Sequence, residues 1–284
     1  MVVQFSVVSL LAATAHSAGT HNRRSLWTLP HCISNPSLLL LANVWDASSA
    51  RAAEQAGYQA LGTSSAAIAS MLGYEDGESL SFDELYYVVS RIRAVTSLPL
   101  SVDMESGYAD TTAGIAENMR RLASMGIAGV NLEDSRIING VRVLEDSQRF
   151  AQRLQAIRET LAAFPCALFL NVRTDPFLMN VPNAREETLL RAQRYATQGA
   201  DGLFVPCVIS PEDIAAIVNH TALPLNVMAM AGLPDFTILG QLGVRRISMG
   251  NALHSVLQNG LNSRLLTVRQ QQSFAGVFAD ENQR

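Results

Sequence analysis

Two acidic clusters, Asp103-Met104-Glu105 and Glu133-Asp134, stand where apolar runs end: Leu98-Pro99-Leu100-Ser101-Val102 and Ile127-Ala128-Gly129-Val130. Carboxylates delivered by the ends of two adjacent parallel strands can share one hard divalent cation. Asp103, Glu105 and Glu133 together would make an oxygen cage for Mg²⁺, with Mn²⁺ as a substitute. That ion usually takes one or two protein carboxylates and keeps several waters. Acids at strand ends also serve simply to cap the helices that follow, and residue type alone leaves both uses open.

Arg173 closes the run Leu168-Phe169-Leu170-Asn171-Val172. A guanidinium there suits bidentate capture of a substrate carboxylate, and equally a structural ion pair with Glu133 or Asp175. Thr63-Ser64-Ser65 offers hydroxyls and backbone N–H groups to a second carboxylate or a phosphonate. No Ser-His-Asp order is evident. The five histidines (16, 21, 31, 220 and 254) fall away from the expected strand ends, so His220 and His254 read as structural. Cys207 reads as a packed thiol, and Met228 with Met230 as barrel lining or core.

These residues need elements to position them. After residue 36 one rhythm repeats: an apolar run, a polar tip, an amphipathic stretch, a glycine, another apolar run. The glycine step recurs at Gly57, Gly126, Gly199 and Gly243, each fitting a helix stopped before the next strand. Ser81-Phe82-Asp83-Glu84 reads as a capping box opening a helix that ends near Thr96. Strands are expected at 37–43, 59–63, 99–103, 128–133, 167–173, 202–206, 224–228 and 245–249. Strands alternating with helices through short links imply parallel βαβ units, and at this length closure into a (β/α)₈ barrel is the natural solution. A doubly wound open sheet is the alternative. Against it, no Gly-x-Gly-x-x-Gly follows the first strand. In a barrel the residues just past the strands form the active face. Here they are Asn43, Trp45 and Asp46; Thr63 to Ser65; Asp103 and Glu105; Glu133 and Asp134; Arg173 and Asp175; Pro206; Asn226; and Gly250 with Asn251.

Composition narrows the chemistry further. All 21 Lys+Arg residues are arginine, so the chain has no lysine. A Schiff-base aldolase, a pyridoxal phosphate enzyme and a Walker-type NTPase each need one, and those classes are set aside. At 284 residues, 48% hydrophobic and 16% charged, the chain has ample material for a large α/β core. A net charge of −4 supplies no basic field for nucleic acid or an anionic membrane. Cys32, Cys166 and Cys207 are scattered, without zinc spacing or a disulfide framework. No Asp or Glu occurs before Asp46, and Val2 to Ala15 is apolar, with Arg23-Arg24 behind it rather than in front. Residues 1–22 are read as an N-terminal extension and 23–284 as a single barrel domain with a C-terminal helical segment. A secretory or transit peptide is the alternative for the extension. No other stretch is long and apolar enough to span a membrane.

The ordered set Asn43-Val-Trp-Asp-Ala-Ser-Ser-Ala50, Gly62-Thr-Ser-Ser65, Leu72-Gly-Tyr-Glu-Asp-Gly77, Asp103-Met-Glu-Ser-Gly-Tyr108, Asn131-Leu-Glu-Asp134, Asn171-Val-Arg-Thr-Asp175 and Pro224-Leu-Asn-Val227 resembles the isocitrate lyase/phosphoenolpyruvate mutase superfamily. The resemblance covers about residues 36–255. It implies a (β/α)₈ barrel of the phosphoenolpyruvate/pyruvate type whose Mg²⁺ binds an α-oxyacid. Asp103 would match the main metal-site aspartate, Glu105 the next acid, and Glu133 the metal-site glutamate. Ser64 and Ser65 would match the loop that binds the substrate carboxylate, Asp76 the acid on the following loop, and Arg173 the carboxylate-binding arginine. Trp45, Asp46 and Asn226 complete the expected substrate site. The family commonly swaps a C-terminal helix between subunits, which implies a homodimer or homotetramer, and its usual location implies the cytoplasm.

One departure bears on the reaction. The lyases of the family carry a Lys-Lys/Arg-Cys-Gly-His gating loop. This chain has Glu133-Asp-Ser-Arg-Ile-Ile-Asn-Gly-Val-Arg142 in its place. The expectation is therefore a Mg²⁺-dependent lyase or decarboxylase acting on a small 2-oxo or 2-hydroxy carboxylate, oxaloacetate-like or malate-like, through an enolate. Decarboxylation suits a loop without cysteine, lysine or histidine, because departing CO₂ needs no general acid. Arg136 or Arg142 would close over the substrate. The alternatives are a phosphonopyruvate-type P–C bond hydrolase or mutase, and a catalytically weak oxyacid-binding homologue.

Overall fold

The structure, a computed structural model, describes residues 38–164 and 167–278. The expected N-terminal extension, His16, His21, His31, Cys32 and Cys166 lie outside the described residues.

Short strands, mostly built from Leu, Val, Ile and Phe, alternate with helices. They are β1 (Leu39–Leu40), β2 (Ala42–Val44), β3 (Leu61–Thr63), β4 (Leu100–Asp103), β5 (Gly129–Glu133), β6 (Ser135–Ile138), β7 (Val141–Leu144), β8 (Phe169–Arg173), β9 (Gly202–Phe204), β10 (Leu225–Met228) and β11 (Arg246–Ser248). The helices are α1 (Ala47–Gln55), α2 (Ser65–Leu72), α3 (Phe82–Arg93), α4 (Thr112–Ser124), α5 (Ser147–Ala162), α6 (Ala184–Thr197), α7 (Pro211–His220), α8 (Phe236–Gln241), α9 (Ala252–Gln271) and α10 (Ala275–Phe278).

Nine strand segments form one sheet in the order β1-β11-β10-β9-β8-β5-β4-β3-β2, every pair parallel. β1 and β2 are halves of one extended segment broken at Leu41. The first half pairs with the last strand (Leu39↔Arg246) and the second with β3 (Ala42↔Leu61). The sheet therefore returns on itself as an α/β barrel, which excludes the open-sheet alternative. The strand expected at 37–43 is thus two short pairings on opposite neighbours, a consequence of the strand tilt that closure imposes.

The helices pack outside through their apolar stripes. α3 buries Phe82, Leu85, Val88, Val89 and Ile92, and its capping box forms as expected, with Ser81 and Glu84 exchanging bonds. It ends at Arg93 rather than near Thr96, because Arg93 Nη1 donates to the Thr96 carbonyl at 2.5 Å and turns the chain toward Pro99. Each recurring glycine takes a left-handed backbone: φ is 86° at Gly57, 85° at Gly126, 100° at Gly199 and 90° at Gly243. At Gly199 a Cβ would also collide with the Arg158 side chain, whose Nε donates to the Gly199 carbonyl at 2.7 Å. Among the described residues no helix is long and apolar enough to cross a membrane.

A two-stranded antiparallel hairpin, β6–β7, emerges after β5 where the sequence reading placed only a loop. Its turn is Asn139-Gly140, with φ of 52° and 77°, the pair of left-handed residues that a tight hairpin needs. Its base is tied to the barrel by buried charge. Asp134 Oδ2 accepts from Thr174 Oγ1 at 2.5 Å, Tyr195 Oη at 2.8 Å and Arg191 Nη1 at 2.9 Å. Arg191 Nη2 donates to the Glu145 carbonyl, and the Glu145 carboxylate accepts from Arg136 Nε at 2.6 Å and Arg153 Nη1 at 2.7 Å.

Asp134→Ala should remove the fully buried partner of the Arg191 guanidinium, leaving it only the more exposed Glu187, and cost about 3 kcal/mol of unfolding free energy. Urea denaturation monitored by circular dichroism measures this. Asp134→Asn, which keeps the shape and part of the hydrogen bonding, should lose less.

Candidate active site

A cavity of about 580 Å³ opens at the C-terminal rim of the barrel. Of the residues expected there, Ser64, Ser65, Asp76, Asp103 and Arg173 line it, with Asn43, Gly250 and Asn251 from the same rim. Glu105 and Glu133 line an adjoining cavity of about 720 Å³ beneath the hairpin. Arg142 lines both. Trp45, Asp46 and Asn226 line neither.

Asp103 is held asymmetrically. Its backbone N–H donates to Thr63 Oγ1 at 2.8 Å, and Ser65 Oγ donates to its Oδ2 at 2.9 Å. Its Oδ1 is buried without a hydrogen-bond partner among the described residues. One oxygen is anchored and the other is open. Ser64, next in line, spends its hydroxyl on capping α2, accepting from Ala67 N at 3.3 Å.

Glu105 sits in a left-handed backbone (φ 47°), buried, and accepts from Tyr108 Oη at 2.6 Å. Burial, opposed by the tyrosine hydrogen bond and reinforced by Asp103 and Asp76, pushes its carboxyl up to about 8. Burial also raises Asp76, with Asp103 adding to the rise and Arg142 and Arg173 opposing it.

Glu133 is shared by two guanidiniums: Arg173 Nη1 reaches Oε1 at 2.5 Å and Arg142 Nη1 reaches Oε2 at 2.6 Å. Burial raises the Glu133 carboxyl, and these cations work against that rise. Arg173 turns its remaining edge to Asp175, with Nε to Oδ1 at 2.7 Å and Nη2 to Oδ2 at 3.2 Å. It pairs with both acids that the sequence offered, and its guanidinium carbon lies 5.9 Å from the Phe204 ring centroid.

The other expected residues have defined places. Asp46 caps α1, accepting from Ser49 N at 2.6 Å and Ser49 Oγ at 2.8 Å. Trp45 meets the buried His254 edge-on, with ring centroids 5.0 Å apart. Asn226 belongs to an amide ladder inside the barrel, donating to Ser248 Oγ at 3.1 Å while its Oδ1 accepts from Asn171 at 3.4 Å. Asn171 in turn donates to Asn131 Oδ1 at 2.9 Å, as the register Asn131↔Asn171 requires. Met228 lines the cavity, but Met230 is exposed rather than core, because β10 ends at Met228 and the chain turns outward.

Sequence reasoning left out the apolar wall of Leu178, Met179 and Phe204. It also left out Arg246, whose fully buried guanidinium has Nε and Nη1 without partners and is pushed down to about 10 by burial. An arginine within the run Val244-Arg245-Arg246-Ile247 was the available signal for the latter.

The residues fit a hard divalent cation. The donors are all oxygen, and Asp103 Oδ1 lacks any other partner. Among the described residues no three His, Cys, Asp or Glu side chains converge closely enough to ligate together. Asp103 would therefore hold the ion directly, and Glu105 and Glu133, each of which feels the Asp103 charge, would act on it only through water. That suits Mg²⁺, which keeps waters, and not a zinc cage.

The chain matches the phosphoenolpyruvate phosphomutase family over residues 31–268. It is 32% identical over 216 residues to an uncharacterized protein of Mycobacterium tuberculosis (strain CDC 1551 / Oshkosh), covering 76% of this chain and 79% of that one. It is 29% identical over 252 residues to an oxaloacetate decarboxylase of Paraburkholderia xenovorans, covering 85% and 81%. A candidate phosphonomutase from Burkholderia cenocepacia J2315 superposes with a TM-score of 0.77 at 36% identity, covering 83% of this chain and 96% of that chain. The barrel with its acidic rim is thus that of an enzyme of the isocitrate lyase/phosphoenolpyruvate mutase superfamily. Within that superfamily the chain belongs to the phosphoenolpyruvate phosphomutase family.

Proposed function

We propose that this enzyme is a Mg²⁺-dependent lyase or decarboxylase of a small 2-oxo or 2-hydroxy carboxylate, with an oxaloacetate-like acid as its substrate. The observation that carries this is Asp103, one oxygen fixed by Ser65 and the other open, beside a cavity walled by Arg142 and Arg173. When bound, the ion would polarise the oxygen at C2 and so ease breakage of a bond to C3. The chain's own residues do the rest. The α2 N-terminus with Ser64 and Ser65 receives the carboxylate beside the oxo group. Arg173 contributes positive charge to the cavity wall and holds Glu133 in place. Asp76 orders the loop side of the cavity. Decarboxylation is favoured over C–C cleavage with a carbon leaving group because, among the described residues, no cysteine, lysine or histidine lines the cavity, and CO₂ leaves without a proton. The relatives named oxaloacetate decarboxylase support that branch. The 36% identity to the candidate phosphonomutase supports a second reading, P–C bond hydrolysis or mutation of a phosphonopyruvate-type acid.

A partner copy of this chain is part of the proposal. Leu253, Leu257, Leu261 and Leu265 recur every four residues along α9 and are 48–59% exposed. A second protomer would cover this stripe.

Proton and phosphorus NMR should show Mg²⁺-dependent loss of oxaloacetate from a panel that also holds isocitrate, 2-methylisocitrate, 2,3-dimethylmalate and phosphonopyruvate. Release of inorganic phosphate from phosphonopyruvate instead would select the second reading. No turnover of any acid, with oxalate bound tightly, would leave only a binding role. Mg²⁺ at about 100 times its Kd should stabilise the wild type by about 2.7 kcal/mol and leave Asp103→Ala unmoved; thermal unfolding with and without EDTA reads this directly. Light scattering should give a dimer or tetramer mass that Leu257→Glu reduces, and an unchanged mass would remove α9 as the interface.

A further inference from the structure

Two arginines face the cavity, and they differ in what they have left to offer. Arg173 has committed the Nε/Nη2 edge of its guanidinium to both oxygens of Asp175, and its Nη1 to Glu133. Arg142 concentrates its bonds on one nitrogen: Nη1 donates to Glu133 at 2.6 Å, to Ser135 Oγ at 2.8 Å and to Asp175 Oδ2 at 3.3 Å. Its Nε and Nη2 have no partner among the described residues. That edge is the planar fork that matches a carboxylate with two parallel hydrogen bonds.

The fork is held in place by its element. Along β7 exposure alternates, so that Val141 and Val143 face outward while Arg142 and Leu144 turn in. Arg142 pairs in register with Ile137 across the hairpin, and the hairpin base is fixed by Asp134, Arg191 and Glu145. The neighbouring Arg136 is not equivalent, since its Nε is spent on Glu145.

We propose that Arg142 is the specificity-determining residue of this site. Its free Nε/Nη2 fork receives the substrate carboxylate remote from the oxo group, so that the enzyme selects a 2-oxo dicarboxylate over a monocarboxylate. This rests on the oxyacid reading above and adds to it the residue that recognises the far end. Arg173, with its fork closed on Asp175, is the positioning residue that holds Glu133.

Calorimetric titration in the presence of Mg²⁺ tests this with two acids. Oxalate fills only the oxyacid end, and 3,3-difluorooxaloacetate adds the remote carboxylate. Wild type should bind both. Arg142→Lys keeps a cation beside Glu133 but loses the fork, and Arg142→Gln loses both. Each should weaken 3,3-difluorooxaloacetate by about 10- to 100-fold and change oxalate by less than about threefold, the loss expected of one bidentate charge-assisted contact. Circular dichroism establishes that the variants are folded, and the lysine variant keeps the test open if the glutamine variant is not. Equal losses for the two acids in Arg142→Lys, or no loss for either, would overturn the assignment of Arg142 while the oxyacid reading stands. A wild type that binds neither acid would overturn both.

Discussion

The site depends on one buried charge arrangement, a carboxylate gripped by two guanidiniums. Glu133 and Arg173 face each other because β5 and β8 are parallel neighbours in a register that pairs these two residues. Asp175 lies two residues beyond Arg173 and takes its free edge, and Arg142 descends from the hairpin to the other oxygen of Glu133. Two anions and two cations cancel in formal charge. Burying four charges is costly unless every partner is present, and each residue is held by the two of opposite charge. A rigid wall results, and its rigidity matters more to binding than any stability it adds.

With that quartet neutral, the acids left over set the character of the cavity. Burial makes Asp76 harder to ionise, and the neighbouring Asp103 carboxylate adds to that rise. Asp103 is also denied the satisfaction that buried carboxylates normally find, since only Oδ2 is hydrogen-bonded. Among the described residues the cavity thus presents an unsatisfied carboxylate oxygen on Asp103 and an uncommitted guanidinium edge on Arg142. A hydrated cation and an anionic oxyacid are complementary to that pair of surfaces, and an apolar or cationic ligand is not. Asn131, Asn171 and Asn226 join one another below by side-chain hydrogen bonds, and the buried Arg246 guanidinium donates to Asn131 Oδ1 from the same interior.

Much of this architecture was legible in the sequence, and the exceptions have physical reasons. The barrel follows from glycine stops and apolar runs because both report local backbone demands. The rim acids follow because strand ends are easy to locate. Trp45 and Asp46 show the limit: they stand at a strand end, yet an aspartate before Ala47-Ser48-Ser49 has a local bond to make, and Asp46 makes it with Ser49. The β6–β7 hairpin was missed although Asn139-Gly140 signals a tight turn, because the expected barrel rhythm allows only a polar tip between a strand and the helix that follows it. Sequence offered Arg136 and Arg142 alike as the arginine that would close over the substrate, and could not separate them, since the inward orientation of Arg142 comes from hairpin pairing across the turn. The choice between ion pair and open fork at Arg173 could not come from sequence at all. It depends on which edge of a planar group faces Asp175, a matter of a few tenths of an ångström.

The hairpin also changes what kind of enzyme this barrel can be. A loop that supplies a proton must bring an acid to the leaving carbon and then move away. A loop that is pinned through Asp134, Arg191 and Glu145 is built to stay. Its contribution to the cavity is a fixed cation, which orders an anion but cannot protonate a carbanion at neutral pH, because a guanidinium holds its proton too tightly. Such a wall is suited to breaking a bond whose departing fragment needs no proton, with solvent completing the reaction at the other carbon. Among the described residues the cavity lining carries no cysteine, lysine or histidine, and the pinned hairpin therefore fits the proposed decarboxylation, in which orientation by charge would take the place of acid catalysis by a moving loop.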